Sequence, residues 1–389
     1  MVKKKITFTT MFPRMENIHL VKDVGMIPYC MNKYYNYESS IVTYHNLEYD
    51  YFKSDVKSLL QDYFPLNKFN SKINCVLFLM RKSKKIDVLH LYHITQKTTI
   101  VSIPVYLFFN RKGLIYIHMD KTIDDGQTDV CNLAGKSFKK LIKRFIYKHI
   151  VFSKKNRKRI LFGTQEKCAI GILKNQFPFD NIEYIPNAYE DTIDEKVDFE
   201  KENTILFVGR VGSLQKRTDV LLEGFKKAFP KLNGWKLKVI GPIEENFNSY
   251  IENFIRKNPQ LKENIEFKGP LLDRKKLKEE YSKAKIFCLT SDFESFGLVT
   301  IEALANGCTI VSSDIPVSSE IIQKNKFGKL FECGNSDKLA QALIDVCHDE
   351  KKQEYVKKNH EQYVKSNYSY ELTLKPLNKW INKKMKEKK

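Results

Sequence analysis

Apolar positions in the second half of the chain alternate between two rhythms. Short unbroken runs, TILFVG (204–209), WKLKVIGP (235–242), NIEFKGP (264–270) and KIFCLTSD (285–292), each stop at glycine, proline or a polar turn and read as buried strands. Between them, TDVLLEGFKKAF (218–229), NSYIENFIRKN (248–258), DRKKLKEEYSKA (273–284) and GLVTIEALANG (297–307) carry apolar residues at helical spacing. Asp273 is placed to cap one helix at its start, and Gly307 to close another in the C′ position. TIVSSD (309–314) follows as a strand and SDKLAQALIDVCHDE (336–350) as a helix. This alternation predicts an α/β domain with a doubly wound parallel sheet.

The first half repeats the units less cleanly. KITFTTMF, SSIVTYHN (39–46), DVLHLY (87–92) and LIYIHMD (114–120) read as strands. Pro104 falls inside a helical candidate at 96–112, which it must kink or start late. Acidic and polar residues replace the apolar period near 185–203, so the chain divides into a first domain at 1–190 and a second at 191–365. A basic helix and tail follow at 366–389, with a possible return to the first domain.

A chain of 389 residues accords with two cores. Its 42% hydrophobic content and the lack of a long apolar run argue for soluble domains, and the threonine-broken start followed by Pro13 is unlike an export signal. Eight cysteines at no metal-binding spacing fit reduced thiols in the cytoplasm. The formal net charge of +21 favours phosphate-rich partners, or reflects nothing more than abundant lysine.

Two loops concentrate the chemistry. GRVGSLQKRTD (209–219) leaves a strand with two glycines and presents Arg210, Lys216 and Arg217 just before a helix, a set suited to a diphosphate. In SDFESFGLVTIEALANG (291–307), Glu294 precedes the helix and Glu302 lies one to two turns inside it. Carboxylates there accept from hydroxyls, while the helix start between them suits an anion. A ligand with sugar hydroxyls on either side of a diphosphate satisfies all of these groups at once, and a nucleotide sugar is such a ligand.

At this point the sequence resembles retaining glycosyltransferases of family four, which have the GT-B fold: two Rossmann-like doubly wound domains facing a central cleft. The resemblance lies in E-x7-E from Glu294 to Glu302 with S-F-G after the first Glu, in the pairing of Arg210 with Lys216, in I-P-N at 185–187, and in E-I-I with a later F-G at 320–328. It spans residues 185–350; over the first domain it is architectural. It implies that Gly209, Arg210 and Lys216 hold the diphosphate, and that Glu302 takes the ribose hydroxyls. Glu294 with Phe296, Gly297 and Leu298 would hold the transferred sugar, and the loop at 269–273, with Gly269 and Leu271, would receive the base. Arg210, Lys216 and Glu294 would also act in catalysis, as would a histidine of the first domain. The nearest match for that histidine is Y-I-H-M-D, which makes His118 and Asp120 the candidates. On the acceptor side only Gly25 stands where the family has two glycines. No cofactor and no metal are implied, the nucleotide sugar, UDP-linked by expectation, being a substrate. The acceptor is expected to be a glycan or lipid-linked hydroxyl in surface polysaccharide or glycolipid synthesis.

Residues 135–160 carry eleven Lys and Arg, no carboxylate, and a helical apolar stripe that includes Ile142, Phe145 and Ile146. This is either an amphipathic helix packed on its own sheet or a contact with an anionic membrane. The localisation expected from it is cytoplasmic, at the inner face of the membrane. Other readings are a sugar-nucleotide epimerase or hydrolase on the same fold, and a basic nucleic-acid-binding protein. Charge alone does not explain paired glutamates at a strand–helix junction, so no nucleic acid is expected.

Overall fold

The computed structural model describes residues 4–66, 71–93, 101–119, 142, 145–165, 167, 169–176, 180–193, 199–294 and 296–387. Two units divide the chain: residues 1–192 with 369–389, and residues 193–368.

In unit 1 the strands β1 (Thr7–Met11), β2 (Glu38–Thr43), β3 (Leu60–Tyr63), β4 (Val88–Tyr92), β5 (Leu114–Met119), β6 (Ile160–Thr164) and β7 (Ile182–Tyr184) form one sheet. Its order is β3-β2-β1-β4-β5-β6-β7, every pair parallel. The central strands β4, β5 and β6 are buried at every residue because helices cover both faces. One face packs on Val24, Ile27 and Met31 of helix Asp23–Tyr35 and on Leu377 and Ile381 of helix Lys375–Lys386. The other packs on Cys75, Phe78 and Leu79 of helix Ser71–Lys82 and on Ile103 and Tyr106 of helix Ile103–Phe109. This last helix has Pro104 in its first turn, where the missing N–H costs nothing. Val101 and Ser102 just before it are π-helical, so the proline sits where a π-helical turn passes into the α-helix.

Unit 2 holds β8 (Glu202–Val208), β9 (Lys236–Ile240), β10 (Ile265–Gly269), β11 (Ala284–Leu289), β12 (Thr309–Ser313) and β13 (Gly328–Phe331). The order is β10-β9-β8-β11-β12-β13, again all parallel. The doubly wound sheet read from the sequence is therefore present twice. In each sheet the order reverses at one point, between β1 and β4 and between β8 and β11. Loops leaving those strands diverge to opposite faces and open a crevice at the carboxyl end, where such sheets bind ligands.

The sequence pattern missed β3, β6, β7 and β13 and the long helix Glu350–Tyr368. That helix buries only Val356, Tyr363, Val364 and Tyr368 over its 19 residues, too narrow a stripe to stand out from its charged surroundings.

Candidate functional site

The crevice of unit 2 lies between the loops that follow β8 and β11. Gly209 and Gly241 bring the ends of β8 and β9 into backbone contact: a Cβ on Gly241, at φ +144°, would lie 1.8 Å from the Gly209 carbonyl oxygen. After Gly209 the chain turns through Gly212, whose N–H donates to Thr218 Oγ1 at 3.1 Å, and enters helix Thr218–Ala228. Arg210 points to solvent and donates through Nη2 to Gln215 Oε1 at 3.1 Å.

Lys216 and Glu294 meet in an ion pair of 2.5 Å, with side chains 11% and 10% exposed. The same Glu294 oxygen accepts from Ser291 Oγ at 2.6 Å, and Thr290 Oγ1 donates to the Lys216 carbonyl at 2.7 Å. Gln215 joins the two loops a second way: its Nε2 donates to the Phe293 carbonyl at 2.9 Å, and its own carbonyl accepts from Asp292 N at 2.9 Å. An amide suits this position because it accepts from Arg210 and donates to a carbonyl at the same time. Arg217, the third cation of the loop, is already occupied by Asp219 at 3.1 Å and Asp292 at 3.4 Å. The hydrogen bonds it donates to Asp219, then the charges of Asp219 and Asp292, hold its guanidinium protonated more firmly than usual.

Beyond Glu294, Phe296 is buried edge-on against Tyr368, and Gly297 takes a left-handed φ of +68° to start helix Leu298–Ala305. The first amides of that helix face the loop end without helical acceptors, as at any helix start. Glu302 follows inside the helix, half-buried, and accepts from the Tyr281 hydroxyl at 3.2 Å. Burial pushes its carboxyl pKa up, against the opposing pull of the Arg274 charge and the Tyr281 hydrogen bond. The two glutamates thus differ: one is neutralised by lysine, the other is desolvated beside a phenol. Gly269 ends β10 at φ +69°, Leu271 is half-buried, and Asp273 caps helix Arg274–Lys283 through Lys275 N and Lys276 N. Sequence reasoning singled out neither Gln215, Ser291, Tyr281 nor Arg274, because their partners come from other loops and helices.

In unit 1, His118 is fully buried on β5. Its Nδ1 pairs with the Tyr116 hydroxyl at 2.7 Å, and its Nε2 lies 3.1 Å from Gln165 Nε2 and 3.5 Å from Asp23 Oδ2. Asp120 lies outside the described residues, so the carboxylate seen beside His118 is Asp23, at the start of the helix that follows β1. Gly25 sits in that helix's first turn, where a Cβ would come within 2.1 Å of the Leu20 carbonyl oxygen. Its absence lets the helix start close over the turn Asn17–Val21. Beside this group His90 stacks on Tyr116 at 4.8 Å and bonds Thr10 Oγ1 through Nδ1 at 2.9 Å. Burial, then the nearby His118, drives the His90 pKa well down.

Two parallel Rossmann-like sheets in one chain, each with its crevice at the strand carboxyl ends, make this fold the GT-B type. A glycosyltransferase from Rickettsia africae superposes with a TM-score of 0.71 over 99% of this chain and 100% of that one, at 18% identity. Anabaena HepE in complex with UDP superposes at 0.69 over 98% and 100%, at 14% identity. In sequence, residues 189–363 match the family described as Glycosyl transferases group 1. A Campylobacter jejuni alpha-1,4-N-acetyl-D-galactosaminyltransferase, named for an undecaprenol-linked substrate, is 30% identical over 42% of this chain and 44% of its own length. A Mycobacterium leprae phosphatidyl-myo-inositol mannosyltransferase is 29% identical over 38% of each. The chain thus matches less than half the length of these curated relatives.

Proposed function

We propose that this chain is a retaining glycosyltransferase that takes a sugar from a UDP-linked donor held by unit 2 to a hydroxyl of a lipid-linked glycan held by unit 1. The observation that carries the reading is the junction at the unit 2 switch point. There Arg210, the Lys216–Glu294 pair and the Gly297 helix start share one crevice end with Glu302 one to two turns further on. The family match over 189–363 and the UDP-bound structural neighbour support the donor class. The names of both curated relatives specify lipid-linked or lipid substrates, which supports the acceptor class and a place at a membrane.

In this reading Arg210, Lys216 and the helix amides meet the diphosphate charge in place of a metal. Glu302 accepts from the ribose hydroxyls, and Glu294 with the 296–298 backbone orients the sugar. The acceptor oxygen forms a bond to the anomeric carbon on the face from which the diphosphate oxygen departs. Its proton passes to that departing oxygen, so neither glutamate acts as a nucleophile. His118, held by Tyr116, Gln165 and Asp23, orients the acceptor side together with the Gly25 turn.

Calorimetric titration with UDP and GDP in the presence of a chelator tests the donor site. Binding of UDP that disappears in Arg210→Ala/Lys216→Ala is the expected result. Equal binding by the double variant, or none by the native chain, refutes it.

A further inference from the structure

The net charge of the chain is localised. Residues 63–165 hold 21 Lys and Arg against five carboxylates, Asp87 and the four aspartates of 120–129. All other residues hold 46 cations and 41 carboxylates, so most of the excess charge lies in this span. General lysine abundance therefore does not account for the +21. Asp87 is also spoken for, accepting at Oδ2 from Thr7 N at 3.0 Å and Thr7 Oγ1 at 3.1 Å.

Helices from the stretches on either side of those aspartates, 63–119 and 130–165, cover the same face of the unit 1 sheet. Phe78 and Leu79 of helix Ser71–Lys82 and Tyr106 and Leu107 of helix Ile103–Phe109, from the first stretch, share one core cluster with Val151, which ends the π-helix Ile146–Val151, and Phe152, from the second. The other face has a separate cluster, built on helices Asp23–Tyr35 and Lys375–Lys386. The outer side of the basic layer is not purely polar. Phe108 is 76% exposed, Phe145 60%, Met80 51% and Ile73 48%. Around them Arg81, Lys84, Lys85, Arg111, Lys112 and Lys154 are exposed, and none has a carboxylate within ion-pair distance among the described residues. Among the described residues, the Lys and Arg of these stretches that do form ion pairs are Lys82, with Asp62, and Arg157, with Asp180.

We propose that this face of unit 1 is a docking surface for an anionic lipid bilayer, with Phe108, Phe145, Met80 and Ile73 entering the interface and the surrounding cations meeting headgroup phosphates. Charge complementarity selects an anionic surface, and the exposed apolar side chains select a bilayer over nucleic acid. A nucleic-acid backbone neutralises cations but leaves aliphatic side chains such as Ile73 and Met80 in water, whereas the headgroup boundary buries them. The surface extends beyond the basic stretch at 135–160: it draws on the helices Ser71–Lys82 and Ile103–Phe109 as well. It stands on unit 1 alone and does not depend on the donor-site reading of unit 2.

The test is sedimentation of the full chain with vesicles of phosphatidylcholine alone or with phosphatidylglycerol added, at low and high salt. Phe108→Ser/Phe145→Ser and Lys84→Glu/Lys85→Glu/Arg111→Glu are run alongside. All five side chains are exposed, and thermal unfolding of each variant checks the fold. The expected result is salt-sensitive binding to the anionic vesicles only. Each surface cation contributes roughly fivefold, so the charge reversal lowers partitioning more than about 100-fold. The double serine variant lowers it at least about tenfold through lost apolar burial. Equal binding to neutral vesicles, binding unchanged in either variant, or duplex DNA that outcompetes the vesicles overturns the proposal. UDP titration of the same samples reads unit 2 separately, so failure here leaves the donor reading standing, and the reverse.

Discussion

Replacing Glu294 by Gln should tighten the binding of free UDP while crippling transfer. Lys216 is held by Glu294 at 2.5 Å with both side chains about nine-tenths buried, so the cation meets a diphosphate already neutralised. Glutamine keeps the size of the side chain and an acceptor for Ser291 Oγ, which now lies 2.6 Å from the carboxylate. What it removes is one negative charge near the phosphates. At a separation of ~6 Å that charge is worth ~0.7 kcal/mol in water and ~3 kcal/mol at an effective dielectric constant of ~20. A largely buried pair falls between those limits, so UDP affinity should rise about tenfold. Turnover should fall by about two powers of ten or more, because the sugar loses its carboxylate acceptor. Lys216→Ala has the opposite signature on binding. It deletes a charge-assisted contact worth about 1.5–3 kcal/mol, so UDP affinity drops about 10- to 100-fold. It also strands Glu294, which costs about 2 kcal/mol of stability after allowance for its partial exposure. The double variant Lys216→Ala/Glu294→Gln should recover most of that stability. Titration calorimetry and thermal unfolding at low salt read all three variants. Loss of UDP affinity in Glu294→Gln equal to that in Lys216→Ala would refute the reasoning, since it would make the glutamate a nucleotide contact and not a mask on the lysine.

Glu302→Gln should separate stability from binding. Because burial raises the folded pKa of Glu302, its contribution to stability is present below the ordinary carboxyl range and is lost as pH rises through the folded value. At neutral pH the amide should therefore stabilise the chain by about 1 kcal/mol, or a few degrees in Tm, with no gain near pH 4, while UDP affinity falls about tenfold. Melting curves at both pH values check the sign. His90 predicts the reverse slope in unit 1: its depressed pKa gives stability that is complete above about 6.5 and is lost as pH falls toward the folded value. Denaturant unfolding between pH 7.5 and 5 should show a decline of up to about 1.4 kcal/mol per pH unit, flattened in His90→Phe. Gln215→Glu keeps an acceptor for Arg210 but sets a carboxylate against the Phe293 carbonyl, which now accepts from the amide at 2.9 Å. UDP affinity should fall about fivefold or more through Arg210, with thermal stability changed by less than about 1 kcal/mol; unchanged affinity would mean that Gln215 does not position Arg210.

The alternation of short apolar runs with helical periods was enough to specify parallel α/β units, since a strand buried on both faces must be apolar throughout and each crossover must supply a helix to cover it. The same reading found Asp273 at a helix start and Gly307 past a helix end, because caps are local chemistry. Strands with few residues, such as β7, and the mostly solvated helix Glu350–Tyr368 left no comparable signal. In the candidate site, residue types and spacing placed Arg210, Lys216, Glu294 and Glu302 on two loops and a helix. Their pairing was beyond the sequence. That Lys216 is bound to Glu294, that Arg217 is consumed by Asp219 and Asp292, and that Gln215 ties the loops together depend on β8 and β11 being neighbours. The carboxylate beside His118 is Asp23, 95 positions away along the chain, and the basic face of unit 1 gathers two stretches that the sequence shows apart. Local patterns carry periodicity and capping, which act within a few residues. Ion pairing, burial and shared surfaces act across a few ångströms of space, and only the order of strands in the sheet decides which distant residues come that close.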